Sequence, residues 1–270
     1  MKATYKKHIL NFKRPSGTSR GVMTEKETWF LLLEDNGKIG VGECGLLRGL
    51  SVDDRPDYEE KLQWVCQNIH LGKDNLWNEL LEFPSLQFGV EMAFMSLEAE
   101  TPFKLFPSDF IKGKEAITIN GLVWMGEEAF MKQQIEEKLD DGFTCIKLKI
   151  GAIDFQQELD LLAFIRKHFD EKTIEIRVDA NGAFSPDEAL EKLQLLSKYQ
   201  LHSIEQPIKA GQFEAMRELC QQTPFPIALD EELIGVFTYE DKVKLLETIR
   251  PQYIILKPSF IGGIKGSLEW

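Results

Sequence analysis

The sequence predicts an α/β protein in two parts. Residues 1–113 form an N-terminal α+β capping domain, and residues 114–270 form a (β/α) barrel of which about six strand–helix units are present. Three observations predict this. From Ala116 onward, short aliphatic runs alternate with amphipathic helical patterns, which implies parallel strands joined by right-handed crossovers. The aliphatic runs end in charged residues: Lys147 and Lys149, then Asp179, Glu205, Asp230 and Lys257. In a barrel, functional groups sit at the C-terminal ends of several different strands. A doubly wound nucleotide enzyme would instead carry a glycine-rich turn after its first strand, and residues 120–126 (NGLVWMG) do not match one.

Taken in order, residues 2–12 alternate weakly and predict a strand. Residues 15–20 (PSGTSR) predict a loop, because proline, glycine and small hydroxyl residues break any period. Residues 28–34 (TWFLLLE) and 39–44 (IGVGEC) predict two more strands. The turn between them, Asp35-Asn36-Gly37-Lys38, places Asn-Gly where positive φ is needed. Helical spacing of Tyr58, Leu62, Val65, Cys66 and Ile69 predicts a helix over 57–69. A shorter helix is expected over 76–83, and another over 85–97 with Ser85 as its N-cap after Pro84. His8 and His70 stand alone, and Glu43 reads as a structural polar contact, so no catalytic constellation is expected in this third.

The barrel strands are expected over 117–123, 144–151, 174–179, 202–205, 226–230 and 253–257. Helices follow over 127–140, 155–169, 186–199 with Ser185 as N-cap, 213–222 and 239–248, with a last one beginning near Ile264. In the second strand Ile146, Leu148 and Ile150 alternate with Lys147 and Lys149, so the two lysines share one face. Alone, that pattern reads as an edge strand with both lysines in water. The carboxylates at three further strand ends change the reading.

A chain of 270 residues, 43% hydrophobic and 28% charged, can bury one large core or two smaller ones. Its net charge of -12 argues against nucleic acid or an anionic membrane as partner. Cys44, Cys66, Cys145 and Cys220 are scattered without a CxxC pair and read as reduced, buried thiols. The first residues hold no apolar run long enough for a signal peptide, and no window approaches a membrane span, so a cytoplasmic location is expected. The oligomeric state is left open.

Asp179, Glu205 and Asp230 are each one strand–helix unit apart, so neighbouring barrel strands deliver their carboxylates to a common point. Three such groups alone would repel and their pKa values would rise. A divalent cation removes the difficulty, and an all-oxygen set suits Mg²⁺ or Mn²⁺. For one carboxylate, capping the next helix or pairing with a lysine would be the simpler account; for three in register it is the weaker one. Lys147 and Lys149 approach from one side and Lys257 from nearly the opposite wall. A lysine partly desolvated beside a cation can act as a general base. The reaction class expected is proton abstraction α to a carboxylate through an enediolate, on a small anionic carboxylate substrate.

The motifs KLK, VDANGAF, EQP, LDEE and ILKP together resemble the enolase superfamily, muconate-lactonising subgroup, over essentially the whole chain. Sites of that superfamily pair a lysine or histidine base with Mg²⁺. The resemblance implies that Asp179, Glu205 and Asp230 bind the metal, Lys149 is the base, Lys147 supports it and Lys257 acts from the opposite face. It implies a polar role near the site for Asn181, and leaves the role of Glu231 open. Residues 18–23 (TSRGVM) and 119–126 (INGLVWMG) are similar to the o-succinylbenzoate synthase family, which performs a dehydration in menaquinone biosynthesis. That similarity implies substrate contacts from Ser19, Arg20 and Asn120, with the Ser19–Arg20 loop closing over the barrel mouth. A flexible loop with one cation between two strands suits an anionic substrate. The implied reaction converts 2-succinyl-6-hydroxy-2,4-cyclohexadiene-1-carboxylate to o-succinylbenzoate: Lys149 removes the α-proton and assists loss of hydroxide, and Lys257 stabilises the intermediate.

The family's barrel has eight units where six are read here, so the sequence is expected to be part of a longer protein, poorly soluble or inactive alone. Competing readings share the site. An N-acylamino acid racemase or dipeptide epimerase would use Lys149 and Lys257 as bases on opposite faces, and a muconate-type cycloisomerase is weaker. A catalytically silent barrel acting as a scaffold is disfavoured, because buried lysines and carboxylates are costly without a function.

Overall fold

A computed structural model describes residues 1–18 and 21–270. It opens with a three-stranded antiparallel sheet in the order β1 (Lys2–Thr18), β2 (Gly21–Asp35), β3 (Lys38–Cys44). The turn joining β2 and β3 has φ 49° at Asn36 and 77° at Gly37, the positive values expected of Asn-Gly in a two-residue hairpin. Along β2, Trp29, Leu31 and Leu33 alternate inward and are buried. The loop expected over residues 15–20 is corrected. β1 continues through Pro15 to Thr18, with a register irregularity between Asn11 and Ser16. Proline is tolerated there because β1 is an edge strand, where a missing N–H breaks no ladder. Ser19 and Arg20 lie outside the described residues.

Helices α1 (Tyr58–Gln67), α2 (Gly72–Glu79) and α3 (Pro84–Glu98) pack on this sheet around its own hydrophobic core. The second starts four residues earlier than the pattern predicts. In the third, Pro84 takes the first helical position after Phe83, so Ser85 is not the N-cap. Its fixed φ and absent N–H suit that position, and Ser85 is turned instead to a buried carboxylate. Helix α3 lies unusually close to β3. A Cβ on Gly42 would stand 1.8 Å from the Gly89 carbonyl oxygen, and one on Gly40 would stand 2.2 Å from that of Ala93.

The rest is a six-stranded parallel sheet in sequential order: β4 (Gly121–Val123), β5 (Cys145–Lys149), β6 (Glu175–Asp179), β7 (Ser203–Glu205), β8 (Ile227–Leu229) and β9 (Tyr253–Ile254). Strand β4 is shorter than expected, and Ile117 and Ile119 are exposed ahead of it. Between the strands run α4 (Glu128–Asp140), α5 (Phe155–His168), α6 (Pro186–Leu196), α7 (Phe213–Gln222) and α8 (Tyr239–Ile249). Two short helices, α9 (Pro258–Ile261) and α10 (Gly263–Glu269), follow β9. Local sequence sets the helix starts: Asp154 caps α5, Ser185 and Glu188 form a capping box on α6, and Thr238 caps α8. Ile146, Leu148, Ile176, Val178 and Ile204 face the helices in a second core.

The two parts are joined through α2 and α3. Glu91 accepts the N–H groups of Ile264 at 2.6 Å and Lys265 at 3.0 Å, and Trp77 Nε1 donates to the Gly262 carbonyl at 2.9 Å. Among the described residues, no helix is long and apolar enough to cross a membrane.

Candidate active site

Strand register assembles the polar residues. Lys149 pairs in register with Asp179, and Asp179 with Glu205. Because β5 lies between two other strands, its alternation turns Lys147 and Lys149 toward the concave face, not into water. Lys147 Nζ sits 2.5 Å from Glu205 Oε1 and 3.3 Å from Asp179 Oδ2. Lys149 Nζ donates to Asp179 Oδ2 at 2.9 Å and to Asn181 Oδ1 at 2.7 Å. Lys257, just past β9, pairs with Asp230 just past β8. Asn181 adopts a left-handed φ of 45°, held by its N–H to Asp179 Oδ1 at 3.1 Å, and its Nδ2 donates to Glu231 Oε1 at 3.0 Å. Glu231 therefore has a geometric place that the sequence left open: it orients the amide that touches Lys149.

The electrostatics divide the carboxylates. Burial would raise Asp179, but Lys147 and Lys149 outweigh it and hold the carboxyl below its ordinary value. Glu205 is raised, by burial first and then by the charge of Asp179, with Lys147 opposing. Burial alone would lower Lys147, yet Asp179 and Glu205 raise it. The expected rise is thus seen at Glu205 and reversed at Asp179, which two lysines face.

Whether these residues suit a cation is tested by one atom. Glu205 Oε2 is buried without a hydrogen-bond partner among the described residues. A bare carboxylate oxygen in such a place is costly, and a hard divalent cation is the partner its chemistry suits. The residues present fit such an ion. Among the described residues, no three His, Cys, Asp or Glu side chains are already drawn together as a cation-binding group; lysine ammonium groups sit between and beside the three carboxylates.

Lys149, Lys257, Asn181 and Glu231 line a cavity of about 280 Å³. Its remaining wall comes from Gly21, Val22 and Met23 at the start of β2, from Leu47, Arg48 and Leu50, and from Trp124 at the end of β4. The sequence reading missed Arg48, the two leucines and Trp124. Nor did it assign a role to Gln206, whose Oε1 accepts the Asp230 N–H at 3.1 Å while its Nε2 donates to Glu232 at 2.9 Å, fixing the β7 and β8 ends together. Asn120 is corrected. It precedes β4, level with the start of β5, with its Oδ1 beside Cys145 Sγ, so it lies at the opposite end of the strand from Lys149 and outside this cavity.

Two ammonium groups face one cavity above buried carboxylates at parallel strand ends, the position that active sites take in (β/α)-barrel enzymes. The family described as "Enolase C-terminal domain-like" matches residues 130–270. The chain is 44% identical, over 301 aligned positions, to the o-succinylbenzoate synthase of Desulfotalea psychrophila, covering all of this chain and 82% of that one. The crystal structure of MenC from Desulfotalea psychrophila LSv54 superposes with a TM-score of 0.86 at 40% identity, covering 100% of this chain and 82% of that one. A dipeptide epimerase from Cytophaga hutchinsonii, complexed with Mg and a dipeptide, shares the fold with a TM-score of 0.82 at 21% identity, covering 99% of this chain and 74% of that one. The chain belongs to the o-succinylbenzoate synthase family of the enolase superfamily, enzymes of the carbon–oxygen lyase class.

Proposed function

We propose that this protein dehydrates 2-succinyl-6-hydroxy-2,4-cyclohexadiene-1-carboxylate to o-succinylbenzoate in menaquinone biosynthesis. The observation that carries the reading is the 44% identity to an o-succinylbenzoate synthase across the whole chain. The lysine pair facing one cavity supports it. Lys149 takes the proton from the carbon bearing the ring carboxylate and returns it to the departing hydroxide, leaving an aromatic ring. Lys257, from the other wall, balances the negative charge that spreads onto the substrate carboxylate. Lys147 neutralises Asp179 and Glu205, and Asn181, oriented by Glu231, keeps Lys149 in place. Asp179, Glu205 and Asp230 would hold Mg²⁺, with Mn²⁺ as the alternative, and the ion would supply positive charge for the substrate's carboxylate oxygens. In this reading residues 1–113 are the capping domain that closes the cavity, residues 114–270 carry the chemistry, and Ser19 and Arg20 contact the substrate.

The second reading, epimerisation of a dipeptide or N-acylamino acid, is favoured by one observation: Lys149 and Lys257 line the same cavity, as two-base chemistry requires. One assay separates the readings. The diene acid is offered with Mg²⁺, then with chelator, and dipeptides are offered in D₂O. Metal-dependent appearance of the aromatic product, without deuterium entry into dipeptides, is expected. Deuterium exchange with no dehydration would transfer the assignment to the epimerase reading.

A further inference from the structure

Asp53 sits at the foot of the loop that supplies Leu47, Arg48 and Leu50 to the cavity wall, and no step above uses it. It is completely buried. Its Oδ2 accepts two hydrogen bonds from Ser85 at the start of α3, from the N–H at 2.9 Å and from Oγ–H at 2.6 Å. Since that hydroxyl donates to Asp53, the Tyr58 hydroxyl of α1, 2.7 Å away, donates to Ser85 Oγ. Asp53 Oδ1 is buried with no hydrogen-bond partner among the described residues. The loop itself is tied together. Ser51 Oγ accepts the Leu47 N–H at 2.9 Å, and Asp54 accepts the Gly49 N–H at 2.8 Å and pairs with Arg48 at 2.5 Å. A shift at Asp53 is therefore passed to the wall.

We propose that Asp53 is a positioning residue: by gripping Ser85 it holds the 47–54 loop against the cavity, and so sets how tightly substrate binds and not how fast it is converted. The substrate arm of this inference rests on the function proposed above. Burial pushes the Asp53 carboxyl up to about 6, against the hydrogen bonds from Ser85. The titratable groups facing it are Asp54 on its own loop (which pairs with Arg48), Cys44 at the end of β3 and Tyr58 of α1. Above that pH the bonds from Ser85 are charge-assisted. Below it they become weaker neutral bonds, and a proton on Oδ1 has no acceptor among the described residues. The grip loosens as pH falls through about 6. The sign for global stability is opposite. The folded-state value lies above the ordinary 3.8, so the native chain binds a proton before the unfolded one does, and acidification between the two values favours the fold. The loosening is local.

The test follows KM and kcat against pH for the wild type, Asp53→Asn and Tyr58→Phe, with hydrogen exchange of the 47–54 amides measured without substrate. Wild-type KM should rise roughly three- to tenfold as pH falls through this window, the loop amides losing protection in step. In Asp53→Asn both steps should vanish, KM staying at the acidic wild-type value while kcat keeps the wild-type profile. Tyr58→Phe, the milder change, should raise KM at neutral pH with kcat kept. A KM step that survives in Asp53→Asn, or a Tyr58→Phe enzyme with unchanged KM, overturns the proposal. The exchange arm stands apart from the proposed function: if the chain converts no substrate, a pH step in loop protection that Asp53→Asn abolishes still supports the anchor, and its absence refutes it.

Discussion

Glu205 and Lys149 show how much single residues carry. The buried Oε2 of Glu205 has no partner among the described residues, so exchanging the carboxylate for an amide should remove a cation ligand and leave the neighbouring fold in place. Losing a group that merely supports a metal ligand costs about 10–100-fold in metal affinity, and losing a ligand should cost no less. Titration calorimetry of Glu205→Gln with Mg²⁺ is therefore expected to show affinity weakened by at least about tenfold; wild-type affinity would remove Glu205 from the metal set. These residues were legible because strand alternation and the end-of-strand position are local properties of sequence. Asn120 was misplaced because a motif does not say which end of a three-residue strand it marks. Arg48, Leu47 and Leu50 were missed because their role comes from a long-range contact between a loop and the barrel mouth, and loops carry no period to read. Glu231 needed the amide of Asn181 in place before its purpose could be seen.

At the scale of elements, the contact of β3 with α3 is the least forgiving. Gly40 and Gly42 lie two apart, so both face the helix, and each lets a backbone carbonyl approach where a side chain would stand. Gly42→Ala should destabilise the fold by about 1–3 kcal/mol, the cost of overpacking, read as a lowered midpoint in denaturant unfolding. An unchanged midpoint would mean that the helix can retreat freely. The strands and long helices of the second core were legible to within a few residues, since their periods are strong. The continuation of β1 through Pro15 was not, because turn-forming residues are compatible with an edge strand that pairs on only one side.

At the scale of the molecule, two hydrophobic cores meet along α3, and the cavity lies where the parts join. The C-terminal strand ends supply the charges. The N-terminal sheet and its loops supply much of the apolar wall through Val22, Met23, Leu47 and Leu50. Under the proposed function, this division keeps the proton-transfer groups on rigid strands while loops on another element set substrate fit. The barrel was legible from alternation and strand-end charge. The closing role of the N-terminal sheet was legible only through family resemblance, since no local pattern states which surfaces will dock. The measurement that tests the account most directly is the rate of conversion of the diene acid to the aromatic acid by wild type and Lys149→Ala, side by side at saturating Mg²⁺. A loss of roughly 10²–10⁴-fold in kcat is expected for the variant, the usual worth of a positioned general base. Equal rates in the two proteins would contradict it.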